Sequence, residues 1–175
     1  MHARNLRSRV IDYNLAILQQ AGDLLEWCGA APERARYADT LGPHLRHVLE
    51  HYEEFFEGVE RRVLDYDGRR RDRSVETDPG VALARFRAVA ESLRRVGAQN
   101  EEWSDEIAVM LRGGLDGAEQ FVTRSSLARE LLFLVSHAVH HYALLKPLLI
   151  ERGYAVGADF GKAPATIQHE REASR

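Results

Sequence analysis

The stretch Glu130-Leu-Leu-Phe-Leu-Val-Ser-His137-Ala-Val-His140-His141-Tyr142 decides how this chain is read. Leu127, Leu131, Leu134, Val135, Ala138, Tyr142, Leu145 and Leu149 recur at spacings of three, four and seven, which predicts a buried helix. Three histidines interrupt that apolar run. His137 and His141 are four residues apart, so they lie one turn above each other on one face. At about 100° per residue the pair falls on the flank of the apolar stripe, while His140 points nearly opposite, toward solvent. Two imidazoles stacked in this way are a ready pair of ligands for a transition metal, but a pair does not close a site. The third ligand has to come from elsewhere in the chain.

Upstream, the apolar patterns predict three further helices. The first runs from Leu6 to Cys28, with Val10, Ile17, Ala21 and Leu24 on one stripe and Ile11, Leu18 and Leu25 beside it; Gly29 and Pro32 end it. The second starts near Thr40 as N-cap, tolerates Pro43 in its first turn and continues to about Arg62. The third covers about Val81 to Val96. Between the second and third, residues 65–80 are poor in apolar residues and rich in breakers, which predicts a long loop. Two short runs, Glu106–Leu111 and Gln120–Thr123, flank Gly113-Gly114 and Asp116-Gly117 and predict a small hairpin, with a loop without strand pairing as the alternative. Ser125 or Ser126 then caps the fourth helix, which extends to about Arg152 with a kink expected at Pro147. The tail from Gly153 has no periodicity. The expected fold is all-α, a four-helix bundle in one domain over residues 1–175, with a short β-hairpin or loop excursion before the last helix.

Composition narrows the classes of function. At 175 residues the chain can build one sizeable core. A net charge of −3 argues against a nucleic-acid or membrane-surface binder, and Arg69-Arg70-Arg71-Asp72-Arg73 reads as a solvated loop. The lone Cys28, beside Trp27, excludes an internal disulfide framework and reads as buried packing. With no signal-like leader and no long apolar run, a cytoplasmic protein is expected.

Histidines cluster on two elements. His44, His47 and His51 lie on the second helix, and His137, His140 and His141 on the fourth; His2 and His169 stand near the termini. Pairing these helices would supply two ligands from one and a third from the other. Three histidines with an open position are the arrangement of catalytic zinc sites and of several nickel, iron and manganese sites. The competing reading is that the histidines are satisfied polar groups of the core. Neither a Glu inside the pair, as in H-E-x-x-H, nor a Cys ligand is present.

Two motifs carry a resemblance. Thr40-Leu-Gly-Pro-His-Leu-Arg-His47, and Ser125-Ser-Leu-Ala-Arg-Glu-Leu-Leu-Phe followed by His137-x-x-x-His141, resemble the DinB-like family over residues 5–150. The resemblance implies a four-helix bundle that holds a divalent metal through His47, His137 and His141, with zinc ahead of nickel, iron or manganese. The helical wheel instead places His44 and His51 nearer the apolar stripe than His47, so His51 is the reserve ligand. The family further implies a homodimer and a metal-dependent hydrolase or thiol-dependent transferase, acting on a small molecule such as a low-molecular-weight thiol. Glu130, two turns before His137, is the candidate base or ligand-orienting group, against a salt bridge to an arginine such as Arg46, and Arg129, Arg46 and the Asp65-Tyr66-Asp67 loop are weaker candidates for the mouth of the pocket. Where the family continues with an Arg-Gly-Gln-like run, this chain has Tyr142-Ala143-Leu144. The alternatives are a non-catalytic metal or small-ligand module and a dimeric scaffold with polar core histidines.

Overall fold

The apolar periodicities become four long helices in a computed structural model that describes residues 6–30, 32–98 and 106–174. They are α1 (Leu6–Cys28), α2 (Glu33–Arg61), α4 (Pro79–Ala98) and α5 (Leu127–Glu151). Helices α1 and α2 each pack against both α4 and α5. Two short helices, α3 (Arg73–Thr77) and α6 (Pro164–Ala173), and three strands, β1 (Val63–Asp65), β2 (Ile107–Gly113) and β3 (Glu119–Ser125), complete the described residues. The fold is therefore mostly helical with a small sheet. Met1 to Asn5, including His2, lie outside the described residues.

The stripe predicted for α1 is buried as a broad face, and its one polar member ties the helices together. Asn14, fully buried, donates to the carbonyl of Val10 at 2.8 Å and accepts from the Tyr52 hydroxyl of α2 at 2.9 Å. The Tyr142 hydroxyl of α5 donates to the Ile17 carbonyl at 3.0 Å. Buried polar groups paired in this way fix one mutual arrangement of three helices, since any slippage would leave an unpaired donor or acceptor. Cys28 is buried as expected, and burial pushes its thiol up to about 12.

Helix α2 begins seven residues before the expected start. Thr40 is not its N-cap but an interior residue, whose hydroxyl donates to the Arg36 carbonyl at 2.8 Å and accepts from Arg152 at 3.0 Å. The reason is tertiary. Tyr37 and Leu41 are fully buried, and the Tyr37 hydroxyl donates to the Val75 carbonyl at 3.0 Å, so burial of that extra turn outweighs the bond lost at Pro43. Gly42 fits the same contact: a Cβ there would stand 1.9 Å from the Glu76 carbonyl oxygen of α3.

The segment expected as a loop over residues 65–80 contains the end of β1, all of α3 and the start of α4. Arg62, in the left-handed conformation, caps α2 with its N–H on the carbonyls of Gly58 and Val59 and turns the chain back over the helix. Strand β1 then pairs in parallel with β2, Leu64 beside Val109. The expected hairpin is present: β2 and β3 are antiparallel, from Ile107 opposite Ser125 to Gly113 opposite Glu119. Gly114 and Gly117 take positive φ in its loop. Ile107 and Val109 face the core, whereas β3 is almost wholly exposed.

Ser126 caps α5, its hydroxyl accepting from the Arg129 N–H at 3.2 Å, and the helix runs on through Pro147 to Glu151. The tail carries structure that periodicity did not signal. Phe160 is buried and stacks on Tyr142 at 5.1 Å between ring centroids. Gly161, at φ 67°, lies so close to α5 that a Cβ would stand 2.6 Å from the Ala143 nitrogen. Beyond it, α6 buries no residue and is tethered by Lys162 to Glu170 and Arg171 to Asp159. Among the described residues no helix is long and apolar enough to cross a membrane.

Candidate functional site

Five histidines meet where α2 faces α5. The spacings of three and four along α2 put His44, His47 and His51 on one side, and the i, i+4 pair on α5 faces them. Ring centroids of His47 lie 4.4 Å from His51, 4.8 Å from His137 and 4.7 Å from His141; His51 and His137 are 4.2 Å apart. One ligand nitrogen each from His47, His137 and His141 lies within 4.8 Å of the others. The structure thus brings these three expected residues together, while His140 is exposed.

The hydrogen bonds around the rings constrain their tautomers. A carbonyl only accepts, so His51 donates from Nδ1 to the His47 carbonyl at 2.7 Å and keeps a lone pair on Nε2. His44 and His141 meet through their Nδ1 atoms at 2.9 Å, so one ring donates and the other accepts. A guanidinium only donates, so Arg69 gives an N–H from Nη2 to Nδ1 of His47 at 2.6 Å. His137 Nε2 is buried without a hydrogen-bond partner among the described residues.

All five rings are held neutral. Burial is the leading cause in each case, pushing His47 down to about 2 and His51, His137 and His141 down to about 4. Neighbouring imidazoles and the Arg69 charge act in the same direction on these four. His44 is lowered as well, by burial and by His140. At neutral pH the cluster is a set of uncharged nitrogen donors, the protonation state that metal ligation requires.

Glu130 stands apart from the ring nitrogens that converge. Its carboxylate, 1% exposed, accepts from the Tyr66 hydroxyl at 3.0 Å, the Ser125 hydroxyl at 2.5 Å and Arg129 Nη1 at 3.0 Å. Arg46, named as its possible partner, pairs instead with Glu76 at 2.8 Å. Tyr66 stacks on His51 at 5.4 Å and so links the carboxylate to the cluster through its ring.

One residue of the site was missed by sequence reasoning, whereas Tyr66 belongs to the Asp65-Tyr66-Asp67 loop that the sequence offered as a weaker candidate for the mouth of the pocket. Arg69 lies in a basic run read as solvated, yet its side chain is only 11% exposed and reaches His47. Nothing in the local pattern separates it from Arg70, whose side chain is 76% exposed.

Comparison with known proteins redirects the family reading. No family model matches the chain, and no solved structure matches it. A curated relative, FK506-binding protein 5 from Rhizopus delemar, is 35% identical over 109 residues, which are 61% of this chain. The match covers 27% of that relative, so most of the relative lies outside it. This relative carries the name of an FK506-binding protein and not of a DinB-like one. The DinB-like assignment, and with it the metal-dependent hydrolase or thiol-dependent transferase, is therefore set aside. The motifs that suggested it are short, and the Thr40 cap on which one of them depended is an interior helical residue.

Proposed function

We propose that this chain is a binding module rather than an enzyme of thiol or ester chemistry, and that its ligand is a divalent metal ion held by His47, His137 and His141. The observation that carries the reading is the convergence of three ring nitrogens within 4.8 Å from two facing helices. Two features of the residues fit such an ion. His137 Nε2 is a buried acceptor or donor with no partner among the described residues, and burial keeps the rings neutral. His141 fits when its Nδ1 proton is given to His44, which leaves Nε2 as its free donor atom. Zinc is the first candidate, and nickel, iron or manganese are the others. The relative's printed name is that of a binding protein, for FK506.

A bound ion would join α2 to α5 and stabilise the folded state by mass action. The test is metal content of protein purified without a histidine tag. About one ion per chain is expected, lost in His47→Ala and His141→Ala and retained in His140→Ala. No metal after incubation with zinc, nickel and manganese would sink the reading.

A second reading rests on the relative's name alone: that the chain itself takes FK506. Calorimetric titration with FK506 decides it. Binding that survives His137→Ala would place that ligand away from the histidines, and no heat of binding would remove the reading.

A further inference from the structure

A neutral imidazole has one N–H and one lone pair, and a guanidinium has donors only. The hydrogen bond from Arg69 Nη2 to Nδ1 of His47, at 2.6 Å, therefore occupies the only lone pair of that ring and puts its proton on Nε2. In this arrangement His47 has nothing left to offer a cation. A divalent ion and a guanidinium would also repel each other across the short distance between them.

Arg69 has somewhere else to go. Its Nη1 donates to the Tyr66 carbonyl at 2.5 Å, while its Nε stands 3.6 Å from Oε2 of Glu50, too far for a hydrogen bond. Both atoms, Arg69 Nε and Glu50 Oε2, are buried without a hydrogen-bond partner among the described residues. Such a facing pair is costly as it stands and would be satisfied by a closer approach of Arg69 Nε, in competition with Arg46 Nε, which stands 3.9 Å from the same oxygen and also has no hydrogen-bond partner among the described residues. Arg69 and Glu50 also line a cleft of about 230 Å³, shared with Glu53, Glu54 and Glu57 and with Arg61 and Arg70, which leaves open volume beside the pair.

We infer that Arg69 is a built-in competitor for the histidine site: it holds the His47 lone pair while the site is free of metal, and moves onto Glu50 when a divalent cation enters. The inference rests on the metal-binding reading above. It gives the site a threshold, because an incoming ion must displace an internal cation before His47 can bind. The exchange needs no net gain or loss of protons, since the ring remains neutral throughout.

The experiment is zinc affinity at neutral pH, read by competition with a chromophoric chelator, for wild type, Arg69→Gln, Arg69→Lys and His47→Ala. Arg69→Gln is expected to bind zinc at least about tenfold more tightly than wild type. Arg69→Lys, which keeps the charge without the fork, should fall between them. Zinc binding by wild type with equal or weaker affinity in Arg69→Gln overturns the role of Arg69 and leaves the metal site standing. Absence of binding in every protein overturns the metal site itself, and the inference with it. Should the Arg69 variants not fold, the ¹⁵N resonances of the wild-type Arg69 guanidinium decide: they must shift on zinc addition, and unchanged resonances with zinc bound overturn the inference.

Discussion

Nδ1 of His44 on α2 and Nδ1 of His141 on α5 lie 2.9 Å apart, so the proton between them belongs to one ring and sets the tautomer of both. If His141 donates, its Nε2 is the lone pair available to a cation, and His44 acts by orienting it. His44→Ala should then weaken zinc binding by about 10–100-fold without abolishing it. His141→Ala should abolish it. Equal affinity in His44→Ala and wild type would show that the contact does no orienting.

The acid limb of the stability curve follows from the same cluster. In the unfolded chain each ring titrates near its ordinary value of about 6.5, whereas in the native protein burial holds His51, His137 and His141 down to about 4 and His47 lower still. Between those values the unfolded state binds more protons, so stability rises with pH from about 2, where His47 alone contributes, more steeply from about 4 to about 6.5, and levels off above. Urea denaturation of chelator-treated protein across that window measures it, and a flat profile would contradict the buried neutral state.

Metal removal should act on stability in the opposite way to a scaffold whose histidines are only core polar groups. With zinc at about 100 times its Kd, the folded state gains about 2.7 kcal/mol. Thermal unfolding with and without a strong chelator should show a clear fall in Tm on chelation, absent in His47→Ala.

Tyr66→Phe removes one of the three donors to the buried Glu130 carboxylate while keeping the ring beside His51. Leaving Oε2 without that bond should cost about 1–3 kcal/mol of stability. Chemical denaturation reads it, and a loss below about 0.5 kcal/mol, the range of an ordinary surface change, would mean that the hydroxyl is dispensable.

Two glycines separate close packing from open space. Gly42→Ala drives a Cβ into the Glu76 carbonyl, 1.9 Å away, and should destabilise by about 1–3 kcal/mol or more. Gly157→Ala meets nothing within 4 Å and has no positive φ, so its effect should stay within about 0.5 kcal/mol. Equal unfolding midpoints for the two variants would contradict the packing of α3 on α2.

The sequence by itself determined the four long helices and the candidate ligands. Apolar residues at spacings of three and four place α1 at about Leu6 to Cys28, a cap at Ser125 or Ser126 places the start of α5, and the Gly-rich loop suits the hairpin. The i, i+4 pair on α5 and the histidines at three and four on α2 were legible because a helix places those spacings on one face. Only the tertiary structure brought a nitrogen of His47 within 4.8 Å of those of the pair, since that depends on how α2 crosses α5. It also decided that α2 starts at Glu33 and not at Thr40, because burial of Tyr37 and Leu41 against other elements has no local signature. The docking of Phe160 on Tyr142 and of Arg69 on His47 is of the same kind. Each joins residues distant in the chain, and their neighbours in sequence carry no periodicity that could announce the contact.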